Sequence, residues 1–226
     1  MSMKVIVVAS QKGGAGKTTL AGHLGVAAHT AGAGPVVLLD TDPQGSLAAW
    51  WNERQAPDPL FAAADINGLQ AQLSALEAQG VKLAIIDTPP ALSDTISAVI
   101  GVADLVLIPT RPSPHDLRAV GGTVELVEAS GKRPVFVING AANRARITAE
   151  AAVALSQFGA VASVVVHQRT DFASSMTDGR VVQELDANSR SAGEVAELWK
   201  YVSVQLQKAN KDGGAVTVRE AEGGAR

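Results

Sequence analysis

Two apolar patterns alternate along the chain. Short unbroken runs recur at Val5 to Ala9, Val36 to Leu39, Leu83 to Ile86, Val102 to Pro109, Pro134 to Ile138 and Val161 to His167. They are rich in Val, Ile and Leu, and such runs read as strands buried on both faces. Between them lie longer stretches with helical spacing: Thr18 to Thr30, Gly68 to Gln79, Pro114 to Ala129, Thr148 to Phe158 and Ser191 to Lys208. This alternation predicts an α/β fold, a single doubly wound, mostly parallel sheet with helices on both faces. Ligands of such sheets bind at the carboxyl ends of the strands, so chemistry is expected just past each run.

Past the first run stands Lys12-Gly13-Gly14-Ala15-Gly16-Lys17-Thr18-Thr19. Glycines let a backbone curl so that its N–H groups converge on phosphate oxygens. The loop ends where a helix begins, and that dipole also favours an anion. Gly13, Gly14, Ala15, Gly16, Lys17, Thr18 and Thr19 are therefore the nucleotide-binding candidates. Lys17 would reach the β- and γ-phosphates, and the Thr18 hydroxyl is placed to ligate Mg²⁺. The general pattern G-x-x-x-x-G-K-[ST] needs a glycine at Ser10 or Gln11, and none stands there. A second lysine, Lys12, precedes the Gly-Gly pair instead. It comes too early in the turn to reach the same phosphates easily, which leaves its charge free for a nucleotide held by a second subunit.

With K-G-G-x-G-K-T-T the chain resembles the ParA/MinD-type ATPases, P-loop NTPases with a deviant Walker A motif, and among them the small ParA-type partition and positioning proteins. The resemblance implies ATP and Mg²⁺ as cofactors. It also implies a homodimer formed on ATP binding, with Lys12 crossing to the partner's nucleotide. Thr41-Asp42-Pro43-Gln44-Gly45, after the run ending in Asp40, looks like the family's D-x-D-P-Q-G segment. Asp42 would then orient the attacking water and support Mg²⁺. Leu83 to Pro90 looks like a Walker B strand whose Asp87 holds Mg²⁺ through water. Lys12, Lys17 and Asp42 are thus the catalytic candidates, and Thr18, Asp42 and Asp87 the metal candidates. An Asn at the place of Asn139 often reads the adenine edge in this family, and it also caps turns. Arg169-Thr170-Asp171-Phe172 resembles the late loop that closes over the base, which makes Arg169 a nucleotide-binding candidate. Ser191-Ala192-Gly193-Glu194-Val195 to Leu198-Trp199 resembles the end of the small ParA proteins. The likeness implies one ATPase domain over 1–208, and the glycine-rich, mixed-charge stretch 209–226 is expected to be a disordered tail.

Composition narrows the function further. Hydrophobic residues make up 46% and aromatic residues 4%, so the core must be built from aliphatic side chains. The chain has no cysteine, which excludes disulfides, thiolate metal sites and iron–sulfur clusters. Its four histidines show no zinc-type spacing, and His23 and His29 read as packing or surface residues. No run approaches a membrane span. Val202, Val204 and Leu206 do not make the wide apolar face of a membrane-surface helix, so no direct membrane binding is expected.

A net charge of −3 argues against a protein that coats nucleic acid over its whole surface. The resemblance nevertheless implies non-specific DNA binding by the ATP dimer, with Arg144, Arg146, Arg169 and Lys200 as candidate contacts. It implies a cytoplasmic, nucleoid-associated ATPase whose hydrolysis is stimulated by a ParB-like, cargo-bound adaptor. The cargo would be a plasmid, a chromosome origin or a large protein complex. With the first strand beginning almost at Met3, no amino-terminal helix-turn-helix domain is expected. Two alternatives stay open: a MinD-like membrane-surface ATPase, and a metabolic ligase like dethiobiotin synthetase. Trp50-Trp51 is expected on a short helix, either packed internally or at an interface.

Overall fold

The structure, a computed structural model, describes residues 2–90 and 94–213. β1 (Lys4–Val8) leads through the glycine loop into α1 (Lys17–Thr30), β2 (Val36–Asp40) into α2 (Ser46–Glu53), and β3 (Leu60–Ala63) into α3 (Leu69–Ala78). β4 (Leu83–Asp87) precedes α4 (Asp94–Gly101), β5 (Leu105–Thr110) precedes α5 (Pro114–Ala129), and β6 (Pro134–Ala141) precedes α6 (Arg146–Ser156). Two-residue strands β7 (Ala160–Val161) and β8 (Val166–His167) come next, then α7 (Thr170–Ser175), α8 (Val182–Leu185) and α9 (Arg190–Gly213). The sheet order is β3-β2-β4-β1-β5-β6-β7, with β8 also on β6, and every pairing is parallel.

Alternate residues of each strand enter opposite cores. Ile6 and Val8 join Leu24, Trp50 and Leu198 on one face, whereas Val5 and Val7 join Leu73, Ile100 and Val124 on the other. Burying each large aliphatic side chain contributes about 1.5–3 kcal/mol, which is why unbroken apolar runs hold the centre of the sheet. All carboxyl ends of the parallel strands face one side, and the glycine loop leaves β1 there, between β4 and β5.

The doubly wound parallel sheet is as the sequence predicts, with local differences. The run Val161 to His167 is two short strands rather than one. The register of β6 shifts between Asn139 and Ala141, and such an irregularity re-aims the partner strand. β3 is an edge strand that the apolar pattern does not single out. Among the described residues it pairs only with β2, its Leu60 is exposed, and two of its four residues are alanine. Helix α9 runs to Gly213, past the expected boundary at 208, and the rest of the expected tail, 214–226, lies outside the described residues. Among the described residues no helix is long and apolar enough to cross a membrane.

Trp50 of α2 packs internally, and Trp51 is half-buried against the same core. Trp50 lies against Gly22 of α1 at 3.4 Å from where a side chain would begin, and its indole N–H donates to the Arg180 carbonyl at 3.0 Å. Trp51 donates to the Pro59 carbonyl at 2.8 Å and stacks on Phe61. Arg54, just past α2, pairs with Glu184 through both terminal nitrogens and lies 5.5 Å from the centre of the Trp50 ring.

His23 ties α1 to the α7–α8 region. It is fully buried, with Nδ1 2.7 Å from the Thr19 carbonyl oxygen and Nε2 accepting from the Val182 N–H at 3.2 Å. These partners select the neutral ring with its proton on Nδ1. Burial pulls the His23 pKa down to about 4. An unfolded chain takes up this proton from about pH 6.5 downward, so the stability held by His23 is full above that pH and is lost as acid carries the chain toward about pH 4. The loss amounts to about 3 kcal/mol. Asp87, pushed up to about 7 by burial, acts with the opposite sign over an overlapping range. The test is therefore differential. Between about pH 7 and about pH 4.5 the wild type should lose about 2 kcal/mol relative to His23→Gln in urea unfolding. A difference independent of pH would remove His23 as the titrating group.

Candidate functional site

The glycine loop lies at the carboxyl end of the central strand, held by neighbours on either side. The Gln11 N–H donates to Thr123 Oγ1 of α5 at 3.1 Å, and the Lys12 N–H to Ser10 Oγ at 3.3 Å. Gly14 and Gly16 have φ of 73° and 95°, the left-handed region that glycine enters without strain. Any side chain at 16 would also run into the Asn139 amide, which donates to the Ala15 carbonyl at 2.7 Å. The loop then enters α1, which presents its first N–H groups to the same side.

A cleft of about 590 Å³ opens over this loop. Gly13, Gly14, Gly16, Lys17, Thr18 and Thr19 line one side, and Asp42 stands beside them. Lys17 is 7% exposed, and burial draws its ammonium below the ordinary lysine range, with Asp87 and Asp42 opposing that shift. Lys12 is exposed and is not part of the lining. Asp42 Oδ1 accepts the Gln44 N–H at 2.9 Å, which fixes the carboxylate at the turn. No spacing rule singles out Asp40, yet it organises this turn. Its Oδ1 takes the Asp42 N–H, and its Oδ2 takes the Leu47 and Ala48 N–H groups at the start of α2.

Thr18 and Asp87 meet behind the loop because β4 lies beside β1. The Thr18 hydroxyl donates to Asp87 Oδ2 at 2.6 Å. The other oxygen, Oδ1, is buried and has no hydrogen-bond partner among the described residues. Burial pushes this carboxyl up to about 7, the Thr18 hydrogen bond working against it. A buried carboxylate oxygen left unsatisfied beside a hydroxyl and a phosphate loop fits a hard divalent cation with oxygen ligands. Magnesium commonly takes one or two carboxylates and completes its shell with water and phosphate.

Much of the rest of the cleft lining comes from the exits of β5, β6 and β8. It includes Arg111, Asn139, Gln168 and Arg169. Arg169 is held rather than free: both terminal nitrogens donate to Glu194, at 2.6 and 2.7 Å. No spacing rule singles out Glu194, which lies on α9. Arg111 stands at the strand exit Pro109-Thr110-Arg111-Pro112, the kind of position where chemistry is expected.

The four basic DNA candidates are spread over the surface. Arg169 lines the cleft, Arg144 a groove along α6, and Lys200 a groove beside the end of α1. Arg146 is 93% exposed and pairs with Glu150 at 2.8 Å. Lys132, Arg133 and Lys208 line one cleft at the amino ends of β5 and β6, with Asp104 and Glu128 among them.

Comparison with known proteins agrees with this geometry. Residues 6–193 match the family described as CobQ/CobB/MinD/ParA nucleotide binding domain. A maintenance of carboxysome distribution protein A from Halothiobacillus neapolitanus is 29% identical over 84% of this chain and 91% of its own length. A protein of the same description from Gloeobacter kilaueensis is 43% identical over 54% of this chain, and the match spans 55%, about half, of that relative. The septum site-determining protein MinD of Pyrococcus horikoshii, solved with Mg-ADP, superposes with a TM-score of 0.75 at 16% identity, covering 92% of this chain and 98% of its own.

Proposed function

As this chain belongs to the CobQ/CobB/MinD/ParA nucleotide-binding family, we propose that it is an ATP-driven positioning switch of the ParA type. It dimerises on ATP and in that state binds nucleoid DNA without sequence preference. A cargo-bound, ParB-like adaptor stimulates hydrolysis and releases it. The carboxysome-distribution relatives support a large protein assembly as the cargo.

The observation that carries this reading is the division between the loop's two lysines. Lys17 is buried in the cleft, while Lys12 faces solvent outside its lining. One lysine serves its own subunit's nucleotide and the other is available to a partner's. The loop amides and Lys17 hold the phosphate tail. Thr18 and Asp87 would hold Mg²⁺, with Asp42 in support; the bound ion offsets charge on the β- and γ-phosphates. Asp42, fixed at its turn, orients a water for in-line attack on the γ-phosphate. Lys12 from the partner and Lys17 stabilise the charge that develops there.

Dimerisation provides the test. With ATP, light scattering of the wild type should show a dimer, and Lys12→Ala should stay monomeric while still binding ATP. A normal ATP dimer from Lys12→Ala would remove the trans role. DNA retention should require ATP, ignore sequence and fall steeply with salt, since phosphate contacts release counterions. Retention on anionic vesicles instead of duplex DNA would point to a MinD-like membrane switch. Binding to neither, with turnover stimulated by a small molecule, would point to a ligase.

A further inference from the structure

The nucleotide-site reading assigns the loop wall of the cleft to phosphates, which leaves the wall built from the strand exits to the base. Three consecutive residues, His167, Gln168 and Arg169, form part of that wall. The chain is extended there: His167 closes β8, and Arg169 has φ −141° and ψ 152°. Successive side chains in an extended chain point to opposite sides. His167 and Arg169 are gripped together by one carboxylate. Glu194 accepts the His167 N–H at 3.0 Å, pairs with His167 Nδ1 at 2.7 Å, and takes both Arg169 terminal nitrogens at 2.6 and 2.7 Å.

Burial alone would raise the Glu194 pKa, but the Arg169 and His167 hydrogen bonds outweigh it and hold the carboxyl below its ordinary range. A second bond from α9 reinforces the grip, with Ser191 Oγ donating to Asp171 Oδ2 at 2.6 Å. Between the two gripped residues, the Gln168 backbone N–H continues the strand pairing onto the Ala141 carbonyl at 2.9 Å. Gln168 is exposed and lines the cleft. Asn139, the other amide of this wall, is already committed to the Ala15 carbonyl of the phosphate loop.

We propose that Glu194 is a positioning residue for base selection: by holding His167 and Arg169 to α9 it presents Gln168 to the cleft as the side chain that reads the adenine edge. This rests on the reading of the cleft as an ATP site. A carboxamide offers one donor and one acceptor side by side. Adenine matches that pair at N6 and N7, whereas guanine presents two acceptors at O6 and N7. The clamp matters because an amide reads an edge only when its backbone is fixed; a mobile wall would lose the geometry and admit water.

The test is equilibrium binding of fluorescent ATP and GTP analogues to the full chain, with ATP turnover followed alongside. The wild type should prefer ATP. Gln168→Ala should lower that preference about tenfold, mostly by weakening ATP. Glu194→Gln, which keeps size but weakens the hold on Arg169 and His167, should lower it similarly although Gln168 is intact. In both variants KM for ATP should move more than kcat, because the phosphate end of the cleft is untouched. A merely structural role for Glu194 would lower thermal stability and affect ATP and GTP alike. If Glu194→Gln does not fold, Arg169→Lys, which loosens the same grip from its other side, takes its place and should lower the preference in the same way. Undiminished ATP preference in Gln168→Ala overturns the proposal. A wild type that binds neither nucleotide, or binds both equally, overturns the ATP-site reading beneath it.

Discussion

Asp42→Ala is expected to bind ATP and dimerise, yet hydrolyse it about 10²–10⁴-fold more slowly than the wild type. The side chain lines the cleft beside Lys17, and Oδ1 is held by the Gln44 N–H. The turn itself is set by Asp40 through the Asp42 backbone N–H, so removing the Asp42 side chain leaves the loop anchored. What disappears is a carboxylate that can orient water and receive its proton. Under the positioning reading, the variant should also remain on DNA, because release requires hydrolysis. Single-turnover hydrolysis and DNA retention with ATP check both statements. Normal hydrolysis by Asp42→Ala would remove the residue from the chemistry.

Lys17→Ala is expected to lose ATP binding, by about a hundredfold or more, and with it dimerisation and DNA retention. Lys17 is the buried cation of the cleft, and its surroundings are organised for charge. Asp42 and Asp87 both favour its charged form, while burial opposes that form. A phosphate tail would supply the missing counter-charge at close range in a partly desolvated setting, where a charge-assisted hydrogen bond is strong. The same substitution leaves Asp87 without its nearby cation. The variant should therefore also respond differently to Mg²⁺ alone in a thermal melt. Nucleotide titration by calorimetry checks the first effect, and retention of wild-type ATP affinity would contradict it.

Much of the fold was legible because its rules are local. Unbroken aliphatic runs become buried parallel strands, and Lys12 to Thr19 becomes a curled loop before a helix. Each needs only the residues in its own window. β3 escaped that reading because a short, alanine-containing edge strand gains order from β2 rather than from its own pattern. The break between β7 and β8 escaped it too. Both short strands pair with β6, more than twenty residues earlier in the chain, so where each of them pairs is decided outside its own window. His23 read as a packing or surface residue; its full burial and its role as a fixed acceptor come from Val182, 159 residues away.

By itself, the sequence determined the strand–helix alternation, the phosphate loop with its two lysines, and the carboxylates at strand ends. These follow from residue type and spacing along a few turns or strand repeats. The tertiary structure alone decided which groups meet. Thr18 reaches Asp87, 69 residues on, because the sheet order places β4 beside β1. Asn139 reaches the phosphate loop, 124 residues back, because its strand exit opens onto the same cleft. Glu194 grips His167 and Arg169 because α9 packs against β8, and Lys12 is left outside while Lys17 is drawn in. Contacts of that kind depend on strand order and helix packing, which no local window of the chain encodes.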